Sequence, residues 1–111
     1  HAAAVLVSNC PPVLLALGER VLTETGVDAE TARGALLPLW LAAAENVRTA
    51  SVATALTGPV VRGDAGTVRA NLDALRDDET AHAVYRVLSA ALLEVLGGDG
   101  REDVRQALDE R

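Results

Sequence analysis

Apolar residues run almost without interruption from Ala2 to Leu17, broken by Ser8, Asn9, Pro11 and Pro12. Farther on, Val21 and Leu22 continue the apolar side, and Gly26 stands where a glycine commonly ends a helix. The pattern predicts a first helix over roughly His1 to Thr25. Proline removes a helical hydrogen bond and crowds the preceding turn, so a kink or break is expected at Pro11 and Pro12. Up to Leu17 the segment is apolar nearly all round, which in so small a chain calls for cover from a partner chain or a neighbouring domain.

A second helix follows, with Asp28 as its N-cap and Glu30 and Thr31 in its first turn. Leu36, Leu37, Leu39, Trp40, Leu41 and Val47 give it a wide apolar surface; Pro38 should bend it, and it should run to about Thr49 or beyond. Residues 51 to 66 are the least regular stretch, punctuated by Thr57, Gly58 and Pro59. Asp64 reads as the cap of a third helix with Val68, Leu72 and Leu75 on one face. A fourth helix, Glu79 to Leu96, shows a stripe of Val84, Leu88, Ala91 or Leu92, and Val95. After Gly97-Gly98-Asp99-Gly100, a short amphipathic segment from Arg101 to Asp109 presents Val104 and Leu108. There is no repeat and no convincing strand. The expectation is an all-α bundle of about five helices, forming a single domain over residues 1–111.

Composition supports this reading. The apolar half of the 111 residues is dominated by Ala, Leu and Val, with Trp40 and Tyr85 as the aromatics and neither Phe nor Met. Ala and Leu favour helices, and strand-favouring residues other than Val are scarce. The net charge is −6 and every cation is a scattered Arg, which argues against nucleic acid. The apolar stretch Ala2–Leu17 reads as too short to span a bilayer, and it lacks the basic flank and cleavage site of a signal peptide. No membrane partner is therefore expected. Cys10 has no second cysteine to pair with, so a reducing, cytoplasmic setting is the default. A chain that opens on His1 inside an apolar run reads as a piece of a longer protein.

Few residues carry candidate chemistry. Gly97-Gly98-Asp99-Gly100 has the look of a phosphate loop, but it follows a helix rather than a strand, and Asp99 would repel an anion. A helix end and linker explains it better. Arg62-Gly63-Asp64 matches an adhesion tripeptide, yet Asp64 is better explained as a helix cap. His1 and His82 are the only histidines, and neither lies near Cys10 or paired carboxylates at ligand spacing, so no metal site is expected. His82 reads as a solvated surface residue. His1 and Ser8, seven apart, share a helix face with Asn9 beside them. Their plain reading is that they cap the proline kink, with Asn9 bonding the carbonyls the prolines free. Glu45 and Asn46 raise a similar question after the apolar run Leu41–Ala44.

Two runs, His1-Ala2-Ala3-Ala4-Val5-Leu6-Val7-Ser8-Asn9 and Ala55-Leu56-Thr57-Gly58-Pro59-Val60-Val61-Arg62-Gly63-Asp64 followed by Thr67-Val68-Arg69, together resemble one family. It comprises uncharacterised bacterial proteins with a Rossmann-like NADP-binding domain followed by an all-helical domain of unknown function. The family looks related to pyrroline-5-carboxylate reductase, ketopantoate reductase and 6-phosphogluconate dehydrogenase-like enzymes. The resemblance covers essentially the whole chain and implies a 6-phosphogluconate dehydrogenase C-terminal-like bundle. It implies a substrate-binding and dimerisation domain, inactive without its Rossmann domain, in an NAD(P)-dependent oxidoreductase acting on a small 2-oxo or imino acid. His1 then becomes the candidate proton donor, a role its usual titration range suits. Ser8, Asn9, Thr57 and Gly58 become the substrate-binding set. Cofactor-binding residues are expected in the parent, for NADP or NAD, and not in this chain; a homodimer is expected. Cys10-Pro11-Pro12 departs from the smoother helix usual at that point. The alternative is a non-catalytic helical dimerisation or interaction module. A bundle binding an apolar ligand between its helices is a third, weaker reading.

Overall fold

The computed structural model describes residues 1–110. Among them there are eight helices and no strand: α1 (Ala2–Ser8), α2 (Cys10–Thr23), α3 (Ala29–Asn46), α4 (Val52–Ala55), α5 (Pro59–Arg62), α6 (Ala65–Ala74), α7 (Glu79–Val95) and α8 (Glu102–Asp109). The chain is all-α, as the pattern predicts. The count exceeds five for two reasons. The first segment divides at Asn9, and the irregular stretch contains two single-turn helices.

The chain forms two compact units, His1–Glu45 and Asn46–Arg111. The first holds α1, α2 and nearly all of α3. The break expected at the prolines falls two residues before Pro11, at Asn9, which keeps helical angles (φ −94°, ψ −34°). Pro11 and Pro12 then sit in the first turn of α2. There their missing N–H groups cost nothing, because first-turn amides have no helical acceptor. Asp28 caps α3 as expected, its carboxylate accepting from the Thr31 amide (2.9 Å) and hydroxyl (2.8 Å). These bonds hold the Asp28 carboxyl below its ordinary pKa. Pro38 lies inside α3, which ends at Asn46, short of the expected Thr49. Across the antiparallel pair of α2 and α3, Arg33 Nε and Nη2 donate to the Glu19 carboxylate.

The second unit builds its core from Val60, Val68, Leu72, Leu93, Val104, Ala107 and Leu108, with Tyr85, Ala90 and Leu92 packed against it. α6 is positioned by its cap. Asp64 accepts from the Thr67 amide (3.0 Å) and hydroxyl (2.7 Å), which lowers the Asp64 pKa. Val68 and Leu72 face inward, as their spacing predicts. Val104 and Leu108 also point inward, so α8 is part of the core rather than a tail.

α7 corrects the expected stripe. Its buried residues are Ala81, Ser89 and Leu93, while Leu88 (47 % exposed) and Val95 (52 % exposed) face outward and Ala91 is exposed. Val84-Tyr85, Leu92-Leu93 and Val95-Leu96 are adjacent apolar pairs, so α7 carries two apolar faces. The helices packed against it select the one through Tyr85 and Leu93.

α8 is fastened by arginines from earlier elements. Arg86 Nε donates to the Leu108 carbonyl (2.8 Å), and Arg69 holds Glu110 through three contacts of 2.8–3.2 Å. At the other end of α8, Arg101 Nε donates to the Val61 carbonyl (3.0 Å).

Candidate functional site

The residues singled out for chemistry fall in both units. His1, Ser8 and Asn9 belong to the first, and Thr57 and Gly58 to the second. His1 is exposed and is the N-cap residue of α1, with its carbonyl accepting from the Val5 amide (3.1 Å). Its imidazole makes no capping bond. Ser8 ends α1, so the two lie about 10 Å apart along the axis at 1.5 Å per residue. A substrate touching both would have to bridge two helical turns.

Ser8 and Asn9 do meet. The Ser8 hydroxyl donates to the Ala4 carbonyl (2.7 Å) and lies 3.0 Å from Asn9 Oδ1. A serine that bonds back to the carbonyl four residues earlier tends to bend a helix. This accords with a break at Asn9. The plain reading of the pair is thus right in kind and wrong in detail. Ser8, rather than Asn9, makes the backbone bond, and its acceptor is the Ala4 carbonyl.

Thr57 and Gly58 form the link between α4 and α5. Ser51 caps α4 through its hydroxyl, which accepts from the Thr54 amide (3.2 Å). Gly58 then turns the chain into α5 with φ 101° and ψ −178°, a conformation that only glycine adopts readily. Nothing lies within 4 Å of where a Cβ would stand, so backbone angle alone demands glycine here. Pro59 follows in the first turn of α5, and Gly63, in the left-handed region, ends it. The Thr-Gly-Pro run is therefore a turn with a full structural explanation, and Thr57 is left exposed. The Arg62-Gly63-Asp64 tripeptide resolves the same way, into a helix end and the cap of α6.

His82 corrects the expectation of a plain surface residue. It is half-buried in the first turn of α7 and lines a cavity of about 300 Å³ with Arg69, Leu72, Asp73, Arg76, Ala107 and Glu110. Sequence reasoning passed over this group because Arg69, His82 and Glu110 converge only when α6, α7 and α8 pack. Among the described residues, no group of three or more His, Cys, Asp and Glu is placed to hold a metal ion.

The first unit has a different character. Neither α1 nor α2 buries a residue, and Ala32 alone is buried among residues 1–45. Leu6 (66 % exposed) and Val7 (75 %) stand open on α1, as does Leu39 (67 %) on α3. Between α2 and α3, Pro11, Leu14, Leu15, Leu36, Leu39 and Trp40 line an apolar groove of about 220 Å³. Ala2–Thr23 is also long and apolar enough to cross a membrane by length and composition. The argument that this stretch is too short thus fails once the helix continues through Asn9 to Thr23.

Together these features define an all-helical protein with an uncovered apolar first unit and a separately cored second unit. The chain belongs to the family described as Domain of unknown function (DUF2520), whose model matches residues 1–92. No curated protein matches the chain, and no solved structure does.

Proposed function

We propose that this chain is the C-terminal substrate-binding and dimerisation domain of an NAD(P)-dependent oxidoreductase that reduces a small 2-oxo or imino acid. It is inactive without a dinucleotide-binding Rossmann domain, which holds the cofactor that carries the hydride. The observation that carries the proposal is the bare apolar surface of α1, α2 and α3. Monomeric proteins rarely leave contiguous apolar patches beyond a few hundred Å² uncovered. An interdomain seam together with a homodimer interface accounts for cover on several sides. The oxidoreductase assignment itself rests on the family resemblance of the two sequence runs. In this reading His1 donates the proton to the reduced carbonyl or imine. Ser8, Asn9, Thr57 and Gly58 hold the substrate, and the setting is the bacterial cytoplasm.

Cover by protein rather than lipid has its own support. The apolar part of α3, Gly34–Ala44, lies between Arg33 and Glu45. Its eleven residues rise about 16 Å, roughly half a bilayer core. The chain has no Lys, and Arg20 is the one Arg between Ala2 and Thr23, whereas interfacial helices present several basic residues to lipid headgroups.

One observation favours a second reading, a non-catalytic dimerisation or interaction module. The Ser8 hydroxyl already donates its proton to the Ala4 carbonyl, so its bond is made without a substrate. NADPH fluorescence titration separates the two. It is run on this chain and on a longer protein carrying the domain ahead of His1. The oxidoreductase reading expects saturable binding by the longer protein and none by this chain, followed by turnover that His1→Ala abolishes. If neither binds while both give folded helical spectra, the oxidoreductase reading fails and the module stands.

A further inference from the structure

We propose that the cavity between α6, α7 and α8 is a binding site for a small organic carboxylate, and that Glu110 occupies it as a displaceable internal stand-in. The site lies wholly within the second unit and is independent of the residues assigned to substrate above. Arg69 meets the Glu110 carboxylate with Nε and Nη2, at 2.8–3.2 Å, in the forked geometry that guanidinium offers to planar oxyanions. The occupant thereby demonstrates the group the site accepts.

Three features distinguish this pair from an ordinary surface salt bridge. The first is space: the pair borders a cavity of about 300 Å³. Its apolar floor, Leu72 and Ala107, comes from the core itself. The second is a surplus of donors. Arg76, just past the end of α6, and His82, in the first turn of α7, line the same cavity as Arg69. Asp73 (3.0 Å) and Asp77 (3.9 Å) both face Arg76, so the guanidinium that becomes free when Glu110 swings away is that of Arg69. The third is the nature of the occupant. Glu110 lies beyond the helical part of α8 on extended backbone (ψ 144°), so its side chain can leave without unwinding a helix. Both partners are nearly half exposed, at 43 % and 46 %. Exposed pairs are weak, so a competing carboxylate loses only a few-fold in affinity by displacing Glu110. The apolar floor suits a ligand with a short hydrocarbon portion and favours a carboxylate over inorganic phosphate.

The test is a titration of the full chain with propionate, and separately with inorganic phosphate, followed by NMR of the two histidine rings. Saturable movement of the His82 signals, with the His1 ring unmoved, is the expected result. Glu110→Gln should tighten propionate binding several-fold, and Arg69→Gln should abolish it. Arg76→Gln leaves the fastening of α8 intact and should weaken binding several-fold, which keeps the test decisive if the Arg69 variant fails to fold. The proposal is overturned if the His82 shifts stay linear with concentration in every variant. It is equally overturned if Glu110→Gln binds no more tightly, or if phosphate binds and propionate does not.

Discussion

Two leucines five residues apart on α7 give the sharpest test of the fold. Leu93 is completely buried among Val60, Val68, Leu72, Val104, Ala107 and Leu108. Leu88 faces outward and is 47 % exposed. Replacing a fully buried leucine with alanine removes its transfer free energy and leaves a cavity. Such changes cost about 3–5 kcal/mol where the surroundings cannot collapse. A leucine half in water surrenders only about half of its burial energy and leaves no cavity, roughly 1 kcal/mol. The slightly better helix propensity of alanine trims this a little further. Leu93→Ala should therefore destabilise by about 3 kcal/mol and Leu88→Ala by about 1 kcal/mol or less. Urea unfolding followed by circular dichroism at 222 nm, at two protein concentrations, measures both. If the two variants lose equal stability at both concentrations, or if the order reverses, α7 is rotated and the core described above is wrong. A Leu88 penalty that appears only at high concentration would instead place an interface on the outer face of α7.

Other perturbations follow from the same structure. A Cβ added at Gly18 would stand 3.4 Å from Leu36 Cδ1, the movable end of a flexible side chain; Gly18→Ala should stabilise by up to about 1 kcal/mol in the same urea assay. Gly58→Ala forces an L-residue to φ 101° and should cost about 1–3 kcal/mol, so an unchanged midpoint would show that the turn rearranges freely. The pKa values of Asp28 and Asp64 are lowered by hydrogen bonds from Thr31 and Thr67. Because both are depressed on folding, their contribution is complete above the ordinary Asp value of about 3.9 and is lost as pH falls through the lower folded-state values. Asp28→Asn with Asp64→Asn keeps capping residues but removes the titration; the fall in stability below about pH 4 should become shallower, and an unchanged slope would refute the assignment. Val7, 75 % exposed on α1, makes little contact within the chain. Val7→Glu should leave the helical spectrum intact while shifting sedimentation from dimer to monomer, and flotation with lipid vesicles should recover neither form.

What was legible in the sequence was mostly local. Asp28 and Asp64 announce their helices because a cap bonds an amide three residues on, whatever the rest of the chain does. Val68 with Leu72, and Val104 with Leu108, sit on helices having one apolar face each, so their inward orientation could be read directly. α7 could not be read that way. Its two apolar faces leave the period satisfied by either, and the choice belongs to α5, α6 and α8. The short helices α4 and α5 did leave signs in the cap residue Ser51, the Gly58-Pro59 pair and Gly63, which read together mark two single turns rather than a loop. Of the candidate site, sequence proximity delivered the Ser8–Asn9 contact. His1, Thr57 and Gly58 rested on resemblance, and the structure gives Gly58 a backbone role. The Arg69, His82 and Glu110 group spans 42 residues of sequence, and no motif announces a cavity closed by three separate helices.

The family's match ends at residue 92, one position before Leu93 and ten before α8 begins. Yet α8 supplies Val104, Ala107 and Leu108 to the core and packs closely on α6. During synthesis, α5, α6 and most of α7 therefore leave the ribosome with their inner faces open to water. They wait for the last-made helix of the unit before they can close, and until then Val68 and Leu72 remain available to wrong partners. The order in which the chain is made thus leaves the second unit's fate to the segment that the family pattern does not include.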